Sequence, residues 1–331
     1  MRRHGTSRLT FVAAPGQLIF SLDFELYWGV HDRLRVDEAR GPMLATRRLV
    51  PRLLDLLAAA EVSATWATVG LLLHENEESV WAAAPRLRPR YDHPRRDPYR
   101  RLAELTRADR PVCFARDLVR RVLSTPGQEL GSHTFSHYLC TEPGSDLDSL
   151  RADLRAARSA HAAIGQSPRA LVFPRNQYRP EHLSVARREG FCCFRGVSPR
   201  DGSPAMRPSQ LRRAVRWLDA YAHLPGQRRP IGSRASPGDL VNTRADRFLR
   251  FNPRGLQAVH LTRVRAELEQ AAKTGKTYHL WWHPHNMSTD SQSNLEMLRR
   301  LLQFFDRLRD RWGMRSLTMQ AAVAQTRPRA A

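Results

Sequence analysis

At 331 residues, with 41% hydrophobic and 26% charged residues, the chain is long enough for a large core in one or two domains and too apolar for a disordered one. The net charge of +22 points first to nucleic acid or an anionic surface, but Lys273 and Lys276 are the only lysines among 54 basic residues, and the arginines run along the whole chain. That spread reads as a compositional bias toward arginine, with no nucleic acid expected as a partner, while the excess charge still favours an anionic or phosphate-bearing substrate.

Residues 1–17 form an N-terminal extension. It starts basic, but its apolar run is short and broken by Pro15 and Gly16, so neither a signal peptide nor a transmembrane segment is expected. "QLIFSLDFELYWG" opens with a compact apolar run over residues 18–22 and predicts a buried strand ending in a polar cluster. "RRLVPRLLDLLAAAE" has helical spacing and "VSATWATVGLLL" is a second strand, together the β–α–β unit of a parallel sheet. "CFARDLVRRVLSTPG" is a helix stopped at Pro126 and Gly127, "QELGSHTFSH" a short strand running into a loop, and "SDLDSLRADLRAARSAHAAIG" an amphipathic helix ended by Gly165. "RALVFPRNQY" and "FCCFRG" are strands around the helix "EHLSVARREG". Later come the helix "VHLTRVRAELEQAAKTGK", the strand "TYHLWWHPHN", the helix "SNLEMLRRLLQFFDRLRDRWG" and a short strand "RSLTM".

Strand–helix pairs repeated over ~300 residues predict an α/β fold, either a (β/α) barrel or an open doubly wound sheet. One domain over residues 18–322 accounts for them, followed by a tail at 323–331. Residues 75–110 and 198–253 break the rhythm with Arg, Pro and Gly, and read as long loops or insertions over one face, with helical content in the second only around residues 211–221. The cysteines, Cys113, Cys140, Cys192 and Cys193, form no CxxC pair, which suits a reducing, cytoplasmic location.

Polar residues cluster just after the apolar strands. Asp23 and Glu25 follow the first, on one side of it with Phe24 on the other. His133 and His137 follow the third; four apart on a helical turn, two imidazoles face one way and can grip one metal. Arg175 and Asn176 follow "ALVF", and His283, His285 and Asn286 follow "YHLWW". Parallel α/β folds gather strand carboxyl ends on one face, so these residues converge. Singly, each has an ordinary structural explanation: a solvated strand end, loop-bonded histidines, a histidine packed between aromatics. Their joint order at strand ends favours a site.

In that site Glu25, His133 and His137 give two neutral nitrogens and a carboxylate, leaving open positions on a divalent metal. Asp23 takes a proton from the attacking water, His283 gives one to the leaving group, and Arg175 pairs with Asp23 to hold it ionised. This is metal-assisted hydrolysis, with zinc as the default and cobalt, nickel, manganese or iron suited to similar donors. A glycoside hydrolase needs carboxylates flanking the scissile bond, and Asp23 and Glu25 are too close together for that. A polyanion-binding or scaffold protein on a decayed barrel is the alternative class, resting on the +22 charge.

The ordered motifs "SLDFE", "HTFSH", "RNQY" and "HLWWH" resemble those of the polysaccharide deacetylases of the NodB-homology type, carbohydrate esterases that remove acetyl groups from sugars. The resemblance spans residues 18–287. It implies a distorted (β/α) barrel of fewer than eight regular strands, a divalent metal and an acetylated carbohydrate substrate. It also implies Asp23 as base, Glu25, His133 and His137 as metal ligands, Arg175 as a catalytic arginine and His283 as acid, with His285 as a rival. "ELGSHTFSHYLC", "LVFPRNQ", "DRFLRFNP" and "LWWHPHN" resemble a subgroup found with bacterial surface-polysaccharide synthesis. Glu25 stands where the family has Asp, and Asn176 and Gln177 replace the prolines of its third motif.

Overall fold

The computed structural model describes residues 14–196, 239–251 and 254–326. The reading of helix around residues 211–221, and most of the expected 198–253 insertion, lie outside these residues, as do parts of both terminal segments. The first strand, β1 (Gln17–Phe24), sets the architecture. Leu18, Phe20, Leu22 and Phe24 pack into the large core beneath the helices, whereas Ile19 joins a separate inner cluster. Side chains alternate across a strand, so Ser21 and Asp23 share the inner side with Ile19.

β2 (Ala64–Thr68), β3 (Gln128–Ser132), β4 (Ala170–Leu171), β5 (Cys193–Phe194) and β6 (Val241–Asn242) follow on one flank of β1, all parallel. β7 (Arg247–Phe248) and β8 (Thr277–Trp282) lie on the other, giving the order β6-β5-β4-β3-β2-β1-β8-β7. β9 (Arg315–Leu317) pairs with the start of β1, over Gln17 to Ile19, and β2 takes the rest of that edge from Phe20 onward.

The sheet curls into a half-barrel. Residues 243–246 stitch its two ends: Thr243 N–H donates to Phe194 O at 2.9 Å, and Asp246 N–H to His279 O at 2.9 Å. Among the described residues no ladder joins β6 to β7. Four strands run five residues or more and the others two or three, so the barrel is distorted, with fewer than eight regular strands. The last helix, Met319–Thr326, closes the N-terminal end of the barrel: Met319, Ala322 and Val323 pack with Ile19, Val172 and Cys193 in the inner cluster.

Residues 75–110, expected as a long loop, contain two α-helices, Glu77–Ala83 and Pro98–Ala103, and two 3-10 turns, Pro94–Arg96 and Arg107–Asp109. The Asn76 side chain accepts from Ser79 N and the Asp97 side chain from Tyr99 N, and Pro98 occupies the first helical turn. Local caps thus make helix where hydrophobic periodicity is weak. Among the described residues no helix is long and apolar enough to cross a membrane.

Candidate metal centre and catalytic cleft

The carboxyl ends of β1, β3, β4, β5 and β8 meet at one face, where the backbone is strained. Of the six non-glycine residues with positive φ among those described, all but Glu61 (Leu26, Thr134, His137, Arg175 and Asn176) lie in the segments that follow these strand ends. The His133–His137 stretch is not the helical turn that its spacing predicts. Thr134 (φ 64°) and His137 (φ 57°) adopt left-handed conformations in a loop, and this brings the imidazoles together. Asp153, buried on the helix Leu147–Ala162, holds the loop in place. Its carboxylate accepts from Phe135 N (2.7 Å), Ser136 N (3.1 Å) and the Ser136 hydroxyl.

Glu25 Oε2 lies 3.2 Å from His133 Nε2 and 3.2 Å from His137 Nε2, and all three residues are buried. Two donors bound to one tetrahedral ion at ~2.0–2.1 Å lie roughly 3.3 Å apart, so this spacing suits a shared metal. His133 Nδ1–H donates to Val172 O at 2.8 Å, which turns Nε2 toward Glu25. His133 Nε2 is buried and, among the described residues, has no hydrogen-bond partner. Burial pushes His137 down to about 4 against the pull of Glu25, so that ring is neutral at physiological pH. Burial pushes the Glu25 carboxyl up, but the charge of His283 and the adjacent His133 and His137 imidazoles outweigh it and hold the group well below the usual range. A carboxylate and two imidazoles fit a divalent cation. Gly29 makes the arrangement possible, because a Cβ there would collide with the Glu25 carboxylate.

Asp23 is buried and held from an unexpected direction. The predicted Arg175–Asp23 pair does not form. Arg175 (φ 58°) bonds Asp32 and Glu142 instead. Arg195, on the inner side just past β5, donates Nη1–H and Nη2–H to the two Asp23 oxygens at 2.7 Å each. The same guanidinium donates to Ser21 Oγ (3.1 Å) and Asn176 Oδ1 (3.0 Å) and stacks 4.2 Å over the Trp281 ring. His279 backs this network, with Nε2 2.8 Å from Ser21 Oγ and Nδ1 2.5 Å from Thr243 O. Burial alone raises the Asp23 carboxyl; the Arg195 charge and its hydrogen bonds, helped by His283, reverse that and lower it, so Asp23 is ionised. Arg195, Ser21 and His279 are not among the sequence candidates. The available signal is a polar residue on the inner side of an apolar strand, as in "FCCFRG".

His283 follows β8 with its Nε2 3.5 Å from Asp23 Oδ2 and 3.6 Å from Glu25 Oε1. Its Nδ1–H donates to Asn286 Oδ1 at 3.1 Å, which aims Nε2 into the site. His285 Nδ1 lies 3.9 Å from Glu25 Oε1, and burial, then the charge of His283, push His285 down to about 4. These groups open into a cleft of about 900 Å³ that Phe248, Trp281 and Arg175 also line.

Residues 38–193 match the model of the polysaccharide deacetylase family. This stretch, just under half of the chain, is similar to the polysaccharide deacetylases. It includes His133 and His137, while Asp23, Glu25, Arg195 and His283 lie outside it and reach the same cleft through β1, β5 and β8. A candidate polysaccharide deacetylase from Mycobacterium smegmatis superposes with a TM-score of 0.62 at 16% identity, over 98% of this chain and 96% of that one. A candidate polysaccharide deacetylase from Pseudomonas aeruginosa PAO1 gives 0.58 at 12% identity, over 93% and 89%. A 4-α-glucanotransferase from Thermococcus litoralis gives 0.50 at 11% identity, over 96% of this chain and 41% of that one. At these identities the likeness is one of fold. No curated protein matches the chain.

Proposed function

We propose that the protein is a metal-dependent hydrolase that removes acetyl groups from N-acetylated sugars of a polysaccharide or its biosynthetic intermediate. The observation that carries this is the buried Glu25–His133–His137 set beside an ionised Asp23 and His283 in one cleft. A divalent ion held by Glu25, His133 and His137, zinc by its donor set, would supply Lewis-acid polarisation of the acetyl carbonyl.

The chain's own groups account for the proton movements. Asp23, anionic and fixed by Arg195, accepts a proton from the water that attacks the acetyl carbon. His283 Nε2 delivers a proton to the sugar nitrogen as the carbon–nitrogen bond breaks, releasing acetate and a free amine. His285, held near 4, carries no proton to give at neutral pH. The cysteines are free thiols, which supports a cytoplasmic location. The binding or scaffold alternative has the +22 charge behind it and leaves the complete buried ligand set without a purpose.

The test is bound metal per chain by elemental analysis, paired with acetate release from a panel of N-acetylated sugars. Near one divalent ion in the wild type, none in a folded His133→Ala/His137→Ala double variant, and acetate release from the wild type alone are expected. Equal metal in both proteins, or no acetate from any metal-loaded sample, overturns the reading.

A further inference from the structure

The cleft lining also carries a chain of ion pairs that the hydrolysis does not use. Arg33 Nε lies 3.9 Å from Asp32 Oδ1, and Arg175 bonds the other Asp32 oxygen. Arg175 Nη1 then reaches Glu142 Oε1 at 3.1 Å, and Arg96 Nη1 reaches Glu142 Oε2 at 2.6 Å. All five side chains line the cleft. Three guanidiniums face two carboxylates, and the carboxylates are covered. Asp32 and Glu142 keep 10% and 8% of their side-chain surface, against 67% for Arg33, 30% for Arg175 and 18% for Arg96. A ligand entering here meets cation. Deeper in, the Asp23 charge is met by Arg195. The left-handed backbone at Arg175 and Asn176 is a cost that turns Arg175 toward Asp32 and Glu142 and away from Asp23. The same cleft offers Trp281 and Phe248, whose rings pack 4.6 Å apart, as apolar surface for a sugar ring.

We propose that the cleft takes an acetylated sugar bearing an anionic group, phosphate or carboxylate, whose charge is held by Arg33, Arg96 and Arg175; this deepens the deacetylase reading and rests on it. Guanidinium forks match both oxyanions, and the chain's positive charge draws either one in from a distance.

Calorimetry with N-acetylglucosamine 1-phosphate, glucuronic acid and neutral N-acetylglucosamine tests this on the wild type and on His133→Ala, in which a bound metal no longer accounts for anion affinity. At least one anionic probe is expected to bind tenfold or more tightly than the neutral sugar in both proteins, with a preference that weakens as salt rises. The preference should vanish in Arg175→Gln, weaken in the surface variant Arg33→Gln and return in part in Arg175→Lys. Preference for the phosphate alone assigns a phosphate-linked intermediate, and preference for the uronate alone an acidic polysaccharide. Equal binding of charged and neutral probes overturns the proposal. So does a preference that disappears in His133→Ala yet survives both arginine-to-glutamine variants. Acetate release is scored separately, so an anion preference without turnover removes the deacetylase reading and leaves the anion-binding geometry standing.

Discussion

Arg195 holds Asp23 by two parallel bonds of 2.7 Å, and both side chains are buried. Removing the cation would leave a buried carboxylate whose burial is no longer countered. In Arg195→Met the Asp23 carboxyl is therefore expected to rise, moving the acid limb of kcat/KM up by about 1–3 pH units. Activity at pH 7 should fall by roughly 10–100-fold, the scale of a weakened general base. The sign for stability follows from the lowered folded value. The Asp23–Arg195 pair stabilises the wild type above the ordinary carboxylate range, and that contribution is lost as pH falls through the folded value. Arg195→Lys should recover part of both effects. An unchanged pH profile in a folded, metal-replete Arg195→Met protein would refute the role.

Gly29→Ala tests the seat of Glu25. The new methyl collides with the Glu25 carboxylate, which must swing away from His133 and His137. Loss of one of three ligands should weaken zinc at least tenfold in a competition titration with a chromophoric chelator. Gly29 does not carry a positive φ, so backbone strain is not the cause. Retained zinc affinity would mean that Glu25 is not a ligand.

The strand ends could be read from the sequence because β1 and β8 alternate cleanly. Leu18, Phe20, Leu22 and Phe24 mark one face of β1, and Tyr278, Leu280 and Trp282 the same face of β8, leaving Asp23 and His283 on the other. The partner of Asp23 could not be read. Arg175 and Arg195 both follow short apolar strands, and only backbone direction separates them: Arg175 turns left-handed, whereas Arg195 lies two residues past Cys193 on the inner side. The His133–His137 spacing gave the convergence but the wrong local conformation, because 3.6-residue periodicity carries no information about a loop with left-handed residues. Asp153 was hidden for another reason. It sits on an amphipathic helix, where an acid ordinarily means solvent.

Asp153 offers a test of that hidden clamp. Burial pushes its carboxyl up to about 6, although the Ser136 hydroxyl and the Phe135 and Ser136 N–H groups all favour the anion. A raised folded value means that the native state binds the extra proton. The contribution is complete below the unfolded value near ~4 and is lost as pH rises through about 6. Asp153→Asn does not titrate. Its stability penalty relative to wild type, from urea unfolding, should therefore be larger at pH 4.5 than at pH 7, by on the order of 2 kcal/mol. A penalty that grows with pH would show that the three donors, not burial, dominate.

His283 and His285 lie with ring centroids 4.9 Å apart, and substitution separates their roles. His283 points Nε2 at Asp23 and Glu25, anchored through Nδ1 by Asn286. His285 is held near 4 and stays neutral. His283→Asn should lower kcat by about 10²–10⁴, the usual worth of a general acid, with bound metal unchanged. His285→Asn should retain activity within roughly tenfold, because it donates no proton at pH 7. Asn286→Ala, which frees the His283 ring without removing it, should fall between them and lower kcat more than it raises KM. Were His285→Asn the dead variant and His283→Asn the active one, the acid would be His285, and the proton would reach the leaving nitrogen from beside Glu25 instead of from beside Asp23.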